Sequence, residues 1–199
     1  MAAPPPRSAR VEGNMDGWSG HLLIAPAWMA DPHFAHSLVL LLQHDGQGAF
    51  GLALNRPTET TVREVWKQAT GEACGLEDHI YLGGPVAGPL FALHERPEHG
   101  EVTACEGLYI TSDPQQLAAL LADPPARLRV FAGYSGWGKG QLERELQEAA
   151  WVTAPGVADD AFCVSGEPFW RAVLIRATSL GQDPLGRSPP APAPAPDSN

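Results

Sequence analysis

The alternation of apolar and polar positions gives the first outline of this chain. Residues 37–44 carry an apolar run short enough for a buried strand. Residues 49–54 alternate, with Phe50, Leu52 and Leu54 on one face and the small Gly51 and Ala53 on the other. The Asp45-Gly46-Gln47-Gly48 stretch between them predicts a hairpin connection. Further short strands are expected at 20–25, 79–82, 90–94, 107–111, 127–132, 151–153 and 162–164. Helical spacing is clearest over 61–69, where Val62, Val65, Trp66 and Ala69 share a face. Thr61 and Glu64 have the spacing of a capping box, and Gly71 supplies a stop. A second helix starts at Pro114 behind the cap Asp113, with Leu117, Leu120 and Leu121 facing inward. A third is expected over 141–150, with Leu142, Leu146 and Ala149 inward. Pro168 opens a fourth, which buries Trp170, Val173, Leu174 and Ala177. Hairpins interleaved with helices predict an α+β fold with a mixed, curved sheet flanked by helices.

Glycine breaks this pattern in three places. Strand 127–132 runs into Gly133-Tyr134-Ser135-Gly136-Trp137-Gly138-Lys139-Gly140, and a helix begins at Gln141. Gly83-Gly84-Pro85 ends strand 79–82, and Asn55-Arg56-Pro57 ends strand 49–54. A strand, a glycine-rich turn and a helix start are the parts of an anion pocket. They are equally the parts of a tight structural turn with Tyr134 and Trp137 packed on the core. We expect the three corners to converge on one surface for a ligand or partner, formed by Asn55, Arg56, Gly83, Gly84, Gly133, Tyr134, Ser135, Gly136, Trp137 and Gln141. Trp28 and Trp137 are expected in loops, partly exposed. Trp18, Trp66, Trp151 and Trp170 read as core or core edge.

Other chemistry fits less well. Gly133 to Lys139 nearly spells a phosphate-binding P-loop, but Gly140 stands where the magnesium-holding Ser or Thr belongs. Ser135 follows a strand as a nucleophile would, yet Trp137 replaces the second glycine of the elbow. All seven histidines precede residue 100, and none has a usable spacing to Ser135. His33 and His36, near Asp31, lack a recognisable zinc spacing and read as loop residues. No metal or cofactor is expected.

Composition narrows the setting. The chain has 199 residues, 44% of them hydrophobic, which suits one domain with a real core. A formal charge of −10 argues against a general nucleic-acid surface. Three scattered cysteines, the lack of an apolar leader and the lack of a long apolar run point to a soluble protein of a reducing, cytoplasmic compartment. Residues 1–17 and 181–199 are rich in Ala and Pro and are expected to be disordered around an ordered domain at 18–180.

The combination of Asn55-Arg56-Pro57, Gly83-Gly84-Pro85-Val86, Gly133-Tyr134-Ser135-Gly136-Trp137 and Gly140-Gln141-Leu142-Glu143 resembles the AlgH/YqgE family of uncharacterised bacterial proteins. Matching stretches span about 18–177. The resemblance implies an α+β fold with a barrel-like sheet and a bacterial source. It brings the label of transcriptional regulator from one branch, but no established activity. It also implies a partner, since members are often encoded beside a Holliday-junction-resolvase-like nuclease. Ser135 and Lys139 depart from the family's usual Ala and Pro, which speaks against essential chemistry by those two side chains. The resulting expectation is a non-catalytic regulatory or adaptor protein that binds a protein partner or small anion at the glycine-lined surface. An enzyme using the same pocket is the competing reading, and direct DNA binding a third.

Overall fold

The computed structural model describes residues 17–162 and 166–179. Nearly all of the expected leader and the whole of the expected tail lie outside that range. The strands are β1 (His21–Ile24), β2 (Leu38–Asp45), β3 (Gly48–Ala53), β4 (Pro57–Thr61), β5 (His79–Leu82), β6 (Val86–His94), β7 (Val102–Cys105), β8 (Leu108–Thr111), β9 (Leu128–Gly138) and β10 (Val152–Pro155). The helices are α1 (Val62–Thr70), α2 (Pro114–Ala122), α3 (Gln141–Gln147), α4 (Ala158–Phe162) and α5 (Glu167–Ser179).

The sheet runs in the order β10-β1-β2-β3-β9-β6-β8-β7, with β4 and β5 branching from β9. Every pair is antiparallel except β5 with β9. The sheet curls until the backbone near Gly20, ahead of β1, faces the Ala104 carbonyl of β7. This is the expected α+β, barrel-like mixed sheet.

Three apolar clusters hold the layers. Leu22, Leu40, Leu52, Phe91 and Phe131 line the inside of the curl, which α5 closes with Trp170 and Val173. On the outside, α3 packs Leu142 and Leu146 against Val39, Leu41, Trp137 and Trp151. Farther along, α1 and α2 cover Ile80, Ala92 and Val130 with Trp66, Leu117, Leu120 and Leu121. The faces of β3 are as its alternation predicts: Leu52 and Leu54 inside the curl, Ala49 and Ala53 outside. Local signals fix the helix starts. Thr61 and Glu64 form a complete capping box, and Asp113 accepts from the amides of Gln115 and Gln116.

Four expectations are corrected. Residues 133–138 are not a turn; they continue β9, pairing in register with β3 from Gly51↔Ser135 to Gly48↔Gly138. Gly48 and Gly51 of β3 and Gly133 of β9 lie where neighbouring backbone comes too close for a side chain, and Gly133 also takes a left-handed φ of +68. Trp137 is consequently a buried strand residue rather than an exposed loop one. Pro57 does not leave the sheet but begins β4, a polar strand without apolar alternation that pairs with β5. Phe162 ends helix α4 instead of opening a strand; residues 163 and 164 lie outside the described range. In addition, α3 stops at Gln147, and Ala149 follows it with φ 55.

Candidate functional site

The three predicted corners do meet, and β9 is the reason. Along one edge this strand changes partner. Phe131 and Ala132 pair with β5, whereas Ser135 onward pairs with β3. The fork falls at Gly133, whose φ of +68 lies in the left-handed region that side chains resist. A Cβ there would also sit 2.7 Å from the carbonyl of Val86. Gly83 lies in the fork itself. Its amide donates to Ala132, its carbonyl accepts from Ala53, and a Cβ would collide with the Gly133 carbonyl. Ser135 is wholly buried, and its hydroxyl donates to the Gly83 carbonyl at 3.0 Å. That bond and that burial give Ser135 a structural job and leave it no access to a substrate. Gly84 presses against the carbonyl of Tyr134. The glycines thus fill one another's space.

The remaining predicted residues surround the fork and are tied up in its frame. Asn55 accepts the Leu38 amide at 3.0 Å and donates to the His36 carbonyl at 2.7 Å. Arg56 donates to Ser37 Oγ at 2.9 Å and to the Ala35 carbonyl at 3.1 Å. Burial lowers its pKa, while Asp31 opposes the shift. Both residues staple the loop at 31–37 to the sheet. Tyr134 and Trp137 point to opposite sides of β9. Tyr134 packs with Phe50 and Phe91, whereas Trp137 packs with Phe34 and Trp151. Of the ten predicted residues only Gly136 is exposed. Gln141 accepts from the Gly138 amide and donates to Glu145. Glu145 in turn accepts the indole N–H groups of Trp137 and Trp151, each at 2.8 Å.

What the fork offers outward is apolar. Leu82, Ala132 and Leu90 are successive cross-strand neighbours on β5, β9 and β6. They continue the sheet face that α1 and α2 cover at Ile80, Ala92 and Val130. Beyond the helices that face emerges, and Leu82 is 43% exposed. Pro85, Ala87, Gly88 and Pro89 next to it are exposed as well.

Two features were missed by reading the sequence. A cleft of about 500 Å³ lies between the start of α1, β5 and β9, with Arg129 and Tyr81 in its wall. The signal available was a cation in the middle of a predicted strand. The second is His94, fully buried in β6, whose Nδ1 accepts the Arg96 amide at 3.2 Å. Its Nε2 is buried without a partner. Burial, with a contribution from His99, takes its pKa down from 6.5 to about 4. The histidines weighed as ligands do not gather: among the described residues no group of three or more His, Cys, Asp or Glu could hold a metal ion. His33 is exposed, its amide bonded to Asp31. Trp28 is 68% exposed, as its loop position predicts.

Fold and fork together define a curled α+β protein whose apolar sheet face ends at the exposed Leu82. Residues 22–181 match the model of the AlgH-like family, DUF179, and the chain belongs to that family. A UPF0301 protein of Streptomyces coelicolor is 38% identical over 176 residues, covering 79% of this chain and 86% of its own length. One of Myxococcus xanthus is 35% identical, covering 82% and 91%. The solution structure of the AlgH protein from Pseudomonas aeruginosa superposes with a TM-score of 0.67 at 32% identity, over 90% of this chain and 99% of that one. A crystal structure of a Corynebacterium diphtheriae protein, 19% identical, shares the fold with a TM-score of 0.64 over 88% and 90% of the two chains. Among the described residues no helix is long and apolar enough to cross a membrane.

Proposed function

We propose that this chain is a non-catalytic regulatory or adaptor protein of the bacterial cytoplasm, and that it binds a protein partner at the sheet fork. One observation carries the reading: the apolar row Leu90–Ala132–Leu82, half-buried against the cluster under α1 and α2 at its first two members and exposed at Leu82, beside a rim of Pro and Gly. An apolar sheet end with small neighbours suits another protein's surface better than a small solute. The anion branch of the expectation loses support here. The Gly83 and Gly138 amides already have acceptors, and α3 is only seven residues long. Asn55, Arg56 and the buried glycines then act as the frame that holds the sheet end in place.

The partner to test is the Holliday-junction-resolvase-like nuclease that the family association indicates. Calorimetric titration of the purified nuclease into this chain should give saturable binding. Leu82→Glu should weaken it by about tenfold or more while leaving the thermal melt in place, since a charge in an apolar contact is not compensated. Absence of both heat at two temperatures and co-elution with the nuclease removes that partner. Unchanged affinity of the Leu82→Glu chain removes the patch.

A further inference from the structure

Residues 17–19 form a strap that one histidine ties down. The chain joins the sheet at Gly20, whose amide donates to the Leu41 carbonyl and whose φ of +78 turns the strap aside from β1. Two hydrogen bonds tie the strap to β2, and His44 makes both. Its backbone amide donates to Ser19 Oγ at 2.9 Å, and its Nδ1 accepts the Trp18 amide at 3.1 Å. The Trp18 ring meanwhile packs on the edge of the outer cluster that α3 closes. A backbone amide can only donate, so Nδ1 carries no proton while the strap is down. The neutral ring must then hold its proton on Nε2, which faces Glu143 Oε1 of α3 at 3.0 Å. The other Glu143 oxygen is buried without a partner.

We propose that His44 is a proton-operated latch: a proton on Nδ1 releases the strap and uncovers the edge of the outer apolar cluster. That proton points an N–H at the Trp18 N–H, so two donors meet with no acceptor between them. The same proton makes the ring a cation beside the Glu143 carboxylate, whose unpartnered oxygen gains from the added charge. Acid therefore breaks the bond on the strap side and strengthens the one on the α3 side. Gly20 keeps its bonds to Leu41 and Gly156 and serves as the hinge. The groups around the ring suit this exchange. Glu143 faces it from α3, Asp45 follows it on β2, and Ala49, its cross-strand partner on β3, is neutral. On the strap side stands a second titratable ring, His21, edge-on to Trp18 with centroids 5.3 Å apart. The Glu143 side chain is 41% exposed, so the pair exchanges protons with solvent.

NMR on the full chain from about pH 8 to about pH 5.5, within the range where histidine changes charge, tests this. At the upper end His44 Nδ1 should show the shift of an unprotonated ring nitrogen and Nε2 that of a protonated one. On acidification the ring should charge, and the amide shifts of residues 17–19 should move with the same midpoint. The Trp18 amide should lose hydrogen-exchange protection by about fivefold or more, the worth of one hydrogen bond. The amides of α1, which packs on a different cluster, should stay where they are. Glu143→Gln still accepts from Nε2 but carries no charge, so it should lower the midpoint of ring and strap together by about half a pH unit or more. His44→Asn keeps an acceptor near the place of Nδ1 and does not titrate, so its strap should stay closed throughout. A proton on Nδ1 at the upper end overturns the proposal, as does a ring that stays neutral across the whole range. So does a ring that charges while residues 17–19 stay unmoved, or an unshifted midpoint in the Glu143→Gln chain. A strap that opens only together with the whole fold overturns it too.

Discussion

His94 makes the stability of this protein depend on pH in a direction and by an amount that can be worked out. Its imidazole is fully buried, with one nitrogen accepting the Arg96 amide and the other without a partner. Charging it would strand a cation in the sheet beside His99 and Arg96, with only Glu98 in opposition. The folded pKa is therefore near 4, against 6.5 for the unperturbed ring. Between those values the unfolded chain binds the proton that the folded chain refuses. Acid therefore favours unfolding: stability is full above about 6.5 and is lost as pH falls toward 4. With these two pKa values, linkage gives a loss of about 2 kcal/mol between pH 7 and 5, and about 3 kcal/mol by pH 4.

Urea unfolding at pH 7, 6 and 5 measures this when the parent chain is compared with His94→Asn. Asparagine places an acceptor oxygen near the position of Nδ1, so the Arg96 amide keeps a partner, but it does not titrate. The variant should be less stable at pH 7, because the rest of the ring is missing from a filled site, by roughly 1–3 kcal/mol. Its profile should then be flatter than the parent's by about 2 kcal/mol over the same two pH units. Other titrating groups contribute to both chains and cancel in the difference. Parallel profiles would refute the reasoning, as would an NMR titration that puts the His94 ring near 6.5 in the folded protein.

Two further perturbations test the frame of the fork. Gly133→Ala combines a left-handed backbone with a side chain driven toward the Val86 carbonyl, so thermal melting should report a loss of more than about 2 kcal/mol. A neutral outcome would mean that β9 need not bend there to change partners. Glu145→Leu leaves two indole N–H groups and one amide without their acceptor, so chemical unfolding should show a loss of roughly 2–4 kcal/mol, with altered tryptophan emission from Trp137 and Trp151. A change under about 0.5 kcal/mol would show that water replaces the carboxylate and that α3 is not pinned by it.

The local signals were legible because each is complete within a few residues. Thr61 with Glu64, Asp113 with Pro114, and Asp45 to Gly48 all name their structure without outside help, and all three form as read. β4 was not legible: Pro57 to Thr61 is a polar stretch held by its ladder to β5, and no periodicity marks a strand that packs so little. α4 is too short for a helical period to show. The fork failed in a more instructive way. A run of glycine states that no Cβ fits, but not what takes the space. In Gly83, Gly84 and Gly133 the occupant is the chain's own backbone, brought from β5, β6 and β9 across some fifty residues of sequence. The sequence thus showed where the segments meet and misjudged which residues face outward there. Leu82 and Leu90 read only as members of short strands, since nothing local says where α1 and α2 stop covering the sheet. Arg129 stood out as a cation within a predicted strand, but its surroundings could not be read, because Tyr81, Leu54 and Phe162 come from three other segments. In this protein the backbone geometry was written locally, whereas every candidate surface depends on which segments the curl of the sheet brings side by side.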